Sequence, residues 1–301
     1  MSRANRFRGI FAFAATPTTG DGESVDEGRL RELLDYFIEQ RVHGIAVFGS
    51  TGAIGSFTEE ERRRLAKVAV EHVNGRLPVI VGTGALTTSE AVRLSKYAED
   101  VGADGVIVVP ITYWPLTDEE IYDHYRRIAT SIKIPVCVYN NPGTTGVDMK
   151  PPLLARMAEI DNIRYVKESS GDLTRITSLA RLTKNTVSVF HGHESTALEA
   201  FMAGAQGWFA GIANAIPRQC VELFELAVDK GDVLRAREHF YKMLPLCEFF
   251  VEKSLVRCSH TALELLGRPM GPPRRPLRML APDDRARLDA MLREIGVLDR
   301  R

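Results

Sequence analysis

The chain has 301 residues, 45% of them hydrophobic and 26% charged, and its 39 basic side chains balance 39 acidic ones. A neutral, ordinary globular composition gives no footing for a nucleic-acid partner. No apolar run approaches the roughly 20 residues that span a bilayer, so the reading is no membrane association, and the length suits two ordinary domains or one α/β barrel with an appendage.

In chain order, the first feature imitates a leader. Arg3, Arg6 and Arg8 precede "GIFAFAAT", as basic residues precede the apolar core of a signal peptide. The run is short and ends in Thr16-Pro17 and a Gly-rich turn, so it serves better as a first strand. Seven further runs rich in Val, Ile and Phe follow: "GIAVFGSTG" from Gly44, "PVIVGTG" from Pro78, "GVIVVP" from Gly105, "PVCVYNNP" from Pro135, "IRYVKESSG" from Ile163, "VSVFHGHE" from Val187 and "GWFAGIAN" from Gly207. Amphipathic segments lie between them. Thr58 opens one, with Glu61 placed to complete a capping box. Ser89 and Gly102 bracket another, and Thr117-Asp118 open a third. Strands apolar on both faces that alternate with helices require a parallel sheet, and eight such units close into a (β/α)8 TIM barrel. A doubly wound open sheet is the other arrangement.

The strand runs stop after Asn214. Residues 1–216 read as the barrel, and 217–301 as a C-terminal helical extension with helices over 217–257 and 278–298. "GRPMGPPRRPLR" between them reads as a solvated loop. Cys137, Cys220, Cys247 and Cys258 form no CxxC pair and no zinc spacing. They read as reduced thiols of a cytoplasmic protein.

In a barrel of this type the chemistry sits where strands end at their carboxyl side. Side chains alternate along a strand, so Tyr165, Lys167 and Ser169 share one face and Val166 and Glu168 the other. A free lysine, with pKa about 10.4, is almost entirely protonated at neutral pH; burial favours the amine, a nucleophile that forms imines with carbonyl compounds. The alternative is a structural lysine paired with Glu168 or another acid. Tyr139 ends the adjacent strand and offers either a proton-shuttling phenol or a hydroxyl satisfied by a backbone carbonyl. After strand 2, Gly49 and Gly52 permit close backbone approach, while Ser50 and Thr51 offer hydroxyl and N–H groups to a carboxylate. "VFHGHE" raises metal chemistry, since His191 and His193 suit a divalent-ion hydrolase. The other histidines, His43, His72, His124, His239 and His260, lie at strand starts or on helices and supply no further ligand. A third possibility is a non-catalytic sensor of 2-oxo acids.

Together, "GSTG", "VYNNPGTTG" and "VKESSGDLTR" resemble the dihydrodipicolinate synthase / N-acetylneuraminate lyase family of Schiff-base 2-oxo acid lyases, and the likeness runs from Thr16-Pro17 through "GIAN". The resemblance implies that Lys167 forms the imine and Tyr139 is the general acid/base. It implies that Ser50 and Thr51 hold the substrate carboxylate, with Ser50 also relaying protons, that Gly192 lines the site and that Phe209 lends a backbone contact. It further implies a homotetramer built as a dimer of dimers, with no cofactor and no metal. Four positions depart from the family pattern. Ala53 replaces a usual Glu, Thr144 stands where the synthases have a carboxylate-gripping Arg, and Ile111 and Thr112 replace a tyrosine pair. Loss of a bidentate clamp weakens the hold on an amino-acid aldehyde. The expectation is therefore a lyase, aldolase or dehydratase, acting on pyruvate or a 2-oxo acid of sugar-acid type, with Thr112, Thr144 and His193 selecting the substrate. The lysine-pathway condensation of pyruvate with aspartate semialdehyde is the alternative.

Overall fold

The computed structural model describes residues 7–299. Eight parallel strands close into one barrel in chain order: β1 (Gly9–Phe13), β2 (Gly44–Val47), β3 (Val79–Gly82), β4 (Gly105–Val108), β5 (Val136–Asn140), β6 (Ile163–Glu168), β7 (Ser188–His191) and β8 (Gly207–Ala210). The leader-like stretch is thus β1, paired with β2 and β8. Arg3 and Arg6 lie outside the described residues.

Helices α1 (Glu27–Glu39), α2 (Glu59–Val73), α3 (Thr88–Asp100) and α4 (Asp118–Ser131) fill the first four crossovers. The short α5 (Pro142–Thr145) and α6 (Pro151–Met157) fill the fifth, and α7 (Thr174–Leu182) and α8 (Ala197–Met202) the last two. Thr58 and Thr117 cap α2 and α4 in capping boxes with Glu61 and Glu120. The cap of α3 is two residues earlier than its Ser89 signal, because the Thr87 hydroxyl accepts from the Glu90 N–H and caps the helix first.

The strand alternation divides the interior into two cores. Outward residues such as Ile10, Ile45, Val81, Val106, Val138 and Trp208 pack against the helices. Inward residues, among them Phe11, Ile80, Cys137, Tyr165, Phe190 and Phe209, fill the barrel itself. The bottom is closed by Phe7, whose ring stacks on Tyr165 with centroids 4.9 Å apart. An aromatic layer of Phe11, Phe190 and Phe209 lies above it, with centroids 4.9–5.5 Å apart. That layer is the floor on which the mouth of the barrel is built.

The tail departs from its sequence pattern. In place of one helix over 217–257 there are α9 (Pro217–Phe224), a wider turn at Glu225–Asp229, α10 (Val233–Lys253) and α11 (Leu255–Leu265). Gly231 at φ 64° and Ser254 at φ 88° take left-handed backbone that a helix cannot continue through, and Asp232 caps the restart. The last helix, α12, spans Pro282–Glu294. The basic connection is anchored where a solvated loop was expected. Arg274 donates to both oxygens of Glu61 at 2.7 and 2.8 Å and lies over the Phe57 ring at 4.6 Å, tying the tail to α2. Among the described residues no helix is long and apolar enough to cross a membrane.

Candidate active site

Lys167 continues the inward register of Tyr165 and is only 4% exposed. Its Nζ lies 4.0 Å from the centroid of the Tyr139 ring, 4.5 Å from that of Phe13 and 5.7 Å from that of Phe209. Among the described residues it forms no ion pair. Glu168 stands on the opposite face, where its carboxylate accepts from Asn140 Nδ2 at 3.1 and 3.3 Å and from the Ser170 N–H at 2.6 Å. Burial pushes the Glu168 carboxyl pKa up while these hydrogen bonds pull it down. The structural pairing of Lys167 with Glu168 is therefore not made.

β5 places Tyr139 directly opposite Lys167 in the ladder. The Tyr139 hydroxyl is 3.3 Å from Ser50 Oγ, which arrives on the loop after β2. That loop is bracketed by left-handed backbone at two non-glycine residues, Phe48 at φ 60° and Ala53 at φ 50°. Such conformations cost about 1–3 kcal/mol each and gather at sites where geometry matters more than local comfort. Gly49 is required between them, since a Cβ there would lie 2.1 Å from the Phe13 ring. Asn141 completes the group: its amide donates to the Tyr139 hydroxyl at 2.9 Å and to Ser50 Oγ at 3.2 Å.

Beyond β7, a Cβ on Gly192 would lie 2.4 Å from Lys167 Cε, so this glycine leaves the room the lysine occupies. Phe209 faces the same amine from β8. Thr51 is buried, and its hydroxyl is near the end of β8, 2.6 Å from where a Cβ on Gly211 would stand. Glu194 is also buried at this end and accepts from the Gly211 and Ile212 N–H groups at 2.7 and 3.2 Å. Burial raises its pKa, against the pull of Lys167 and those two donors. Ser50, Tyr139, Lys167, Gly192 and Phe209 thus converge.

The three residues expected to select substrate are more dispersed. Thr112 is turned into its own loop, donating to the Trp114 carbonyl at 2.5 Å, and Thr144 is exposed on the short helix after β5. His193 is half-buried in the loop after β7, its Nδ1 is buried without a hydrogen-bond partner among the described residues, and burial lowers its pKa. His191 is sealed behind the sheet against Thr196 at 3.0 Å, and burial takes its pKa to about 3. Among the described residues no group of three or more His, Cys, Asp or Glu side chains stands ready to hold a metal ion. The histidine pair therefore lacks the further ligands a metal-dependent hydrolase needs.

Four residues at this end escaped the sequence reading. Asn141 and Glu194 are described above. Asn140 accepts from the Met149 N–H at 2.9 Å and donates to Glu168. Asn214 joins β8 to β1, donating to the Phe13 carbonyl at 2.8 Å and accepting from the Ala15 N–H at 2.9 Å. Alternation carried two residues past Tyr139 would have placed Asn141 inward. A primary amine with no ion-pair partner among the described residues, beside a phenol and a hydroxyl, is equipped to add to a ketone or aldehyde and move the protons that follow.

The family model of the dihydrodipicolinate synthetase family matches residues 6–295. A 4-hydroxy-tetrahydrodipicolinate synthase of Pelobacter propionicus is 36% identical over 97% of this chain and 100% of its own. One from Methanopyrus kandleri is 35% identical over 97% of this chain and 98% of its own. Among solved structures, the chloride-inhibited dihydrodipicolinate synthase of Acinetobacter baumannii complexed with pyruvate superposes with TM-score 0.92 at 34% identity, covering 97% of this chain and 99% of that one. The Thermotoga maritima dihydrodipicolinate synthase gives TM-score 0.92 at 31% identity, covering 98% of this chain and 100% of that one.

Proposed function

This chain belongs to the dihydrodipicolinate synthetase family of class I Schiff-base lyases and synthases, and from that premise we propose how its own residues act and on what. Lys167 attacks the ketone of pyruvate or a longer 2-oxo acid, and water leaves as the imine forms. The imine draws electrons from the bond next to the former carbonyl, so that a C–C bond there breaks or forms, or a β-hydroxyl departs. Tyr139 carries the proton, Ser50 relays it, and Ser50 with Thr51 holds the substrate carboxylate. Gly192 keeps the space beside the lysine open, and Phe209 lines the site. The observation that carries this reading is the buried Lys167 amine, with no ion-pair partner among the described residues, set against the Tyr139 ring at 4.0 Å. Residues 1–216 form the catalytic barrel in this account and 217–301 the helical extension.

The substrate we favour is a polyhydroxylated 2-oxo acid. Thr144 brings no cation to grip a second carboxylate, and the buried Nδ1 of His193, unpartnered among the described residues, offers a hydrogen bond to a hydroxyl. The second reading is the reaction the relatives are named for, 4-hydroxy-tetrahydrodipicolinate synthesis, supported by identities near 35% across whole chains. A screen of 2-oxo sugar acids against pyruvate plus aspartate semialdehyde separates the two. Turnover of the sugar acids supports the first, and turnover with aspartate semialdehyde alone overturns it. Assembly as a homotetramer, a dimer of dimers in the cytoplasm, belongs to the same proposal. Tyr113 and Trp114, 83% and 71% exposed on the loop after β4, support a surface that a second copy covers.

A further inference from the structure

β5 ends in Tyr139-Asn140 and leads into Asn141-Pro142, and the two asparagines do different work. Asn140 points outward and holds Glu168 and the Met149 N–H. Asn141 points back over the mouth, and its single amide nitrogen reaches two hydroxyls from two strands, Tyr139 Oη at 2.9 Å and Ser50 Oγ at 3.2 Å. Those hydroxyls are themselves 3.3 Å apart, so the three groups form a closed triangle within one subunit.

An amide NH2 has two hydrogens to give and no lone pair to accept with. Both hydroxyl oxygens therefore receive a hydrogen bond from Asn141, and neither hydroxyl proton is spent on the asparagine, which leaves one to bridge the two oxygens. That arrangement is unfavourable for storing a proton and favourable for passing one. Hydrogen bonds donated to an oxygen stabilise it most when it carries negative charge.

We propose that Asn141 is a positioning residue of the proton relay, fixing Tyr139 and Ser50 as acceptors along one edge so that the proton travels between them along that edge. The inference rests on the imine reading above. In the step concerned, the C3–H bond of the pyruvate imine breaks, its electron pair forms the C2=C3 bond of the enamine, and the C=N π pair moves to nitrogen. The Tyr139 hydroxyl proton first passes to Ser50 Oγ as the Ser50 proton passes to water, and the phenolate oxygen so formed takes the C3 proton. Negative charge builds on the two oxygens during the transfer, and the Asn141 amide meets it there. The enamine regains a proton by the reverse path.

The test uses the full-length protein and pyruvate alone. Borohydride trapping measures imine formation, and loss of the methyl signal by proton NMR in deuterated water measures C3 exchange. Asn141→Asp keeps the shape and removes the donors; Asn141→Ala removes the group without adding charge. Both are expected to trap imine at the wild-type pyruvate dependence while exchange falls about tenfold, the scale of one lost hydrogen bond to a charged oxygen. In a Tyr139→Phe background, Asn141→Ala is expected to add no further loss, because it acts through the phenol. A merely structural asparagine would lower trapping and exchange together and would add its loss in either background; that result overturns the proposal. Wild-type exchange in both variants overturns it as well. If the wild type itself neither traps nor exchanges pyruvate, the imine reading fails and this inference falls with it.

Discussion

Gly192→Ala strikes the lysine without touching any of its chemistry. The methyl carbon would lie 2.4 Å from Lys167 Cε, 3.1 Å from Lys167 Cγ and 1.9 Å from Ser169 Oγ. Non-bonded carbons settle at about 3.5–4.0 Å, so Cε must retreat by about 1 Å or more. Ser169 can rotate away, losing its 3.0 Å hydrogen bond to the Gly192 carbonyl. The lysine has less freedom, since the Tyr139 and Phe13 rings confine its far end. Moving a reacting group by 1 Å costs on the order of 10²-fold in rate, and overpacking of this kind costs about 1–3 kcal/mol of stability. The assay is the rate of borohydride-trapped imine with pyruvate, read beside the thermal midpoint. Gly55→Ala is the control, because a methyl there meets nothing within 4 Å. It should leave trapping unchanged and stability within about 0.5 kcal/mol. Wild-type trapping by Gly192→Ala would show that Lys167 does not react from the position described, and the argument would fail.

Other expectations follow from the same geometry. Tyr139→Phe should still trap pyruvate on the enzyme, while C3 exchange and turnover fall by about 10²–10⁴-fold; equal loss of trapping would assign the phenol to imine formation or to folding instead. His191 is held neutral, its pKa lowered by burial from 6.5 to about 3. The unfolded chain takes up that proton below pH 6.5 and the folded one does not, so its contribution to stability is complete above pH 6.5 and lost as pH falls toward 3. At pH 5, about 1.5 pH units below the unfolded value, the loss is roughly 2 kcal/mol. Denaturant unfolding at pH 7.5 and pH 5 should show that loss shrinking by about this amount in His191→Gln, which keeps a polar group for Thr196. An identical pH response in the variant would refute the assignment.

The fold was legible because each strand is a short run rich in β-branched and aromatic residues that leads into glycine or polar residues, and periodicity survives translation into three dimensions. Lys167 was legible for the opposite reason, as a charge inside such a run. Residues whose meaning depends on distant partners were not. Asn141 gains its place from Ser50, 91 positions away, and Glu194 from N–H groups on the far side of β8. In the tail, Gly231 and Asp232 are a stop and a cap written into the polar stretch 229–232, whereas Ser254 shows as a break between α10 and α11 only through its backbone angle. The basic connection is a loop with Arg275 and Arg278 exposed, as read, but composition does not disclose that Arg274 meets Glu61. His191 and His193 read as a pair because their spacing alone was visible, whereas the structure seals His191 against Thr196.

The account turns on one covalent bond. Reduction with borohydride in the presence of pyruvate, followed by peptide mass mapping, locates it directly. The account predicts a single pyruvate-dependent adduct on Lys167, absent from Lys167→Arg. An adduct on another lysine, or catalytic turnover that survives in Lys167→Arg, would contradict it.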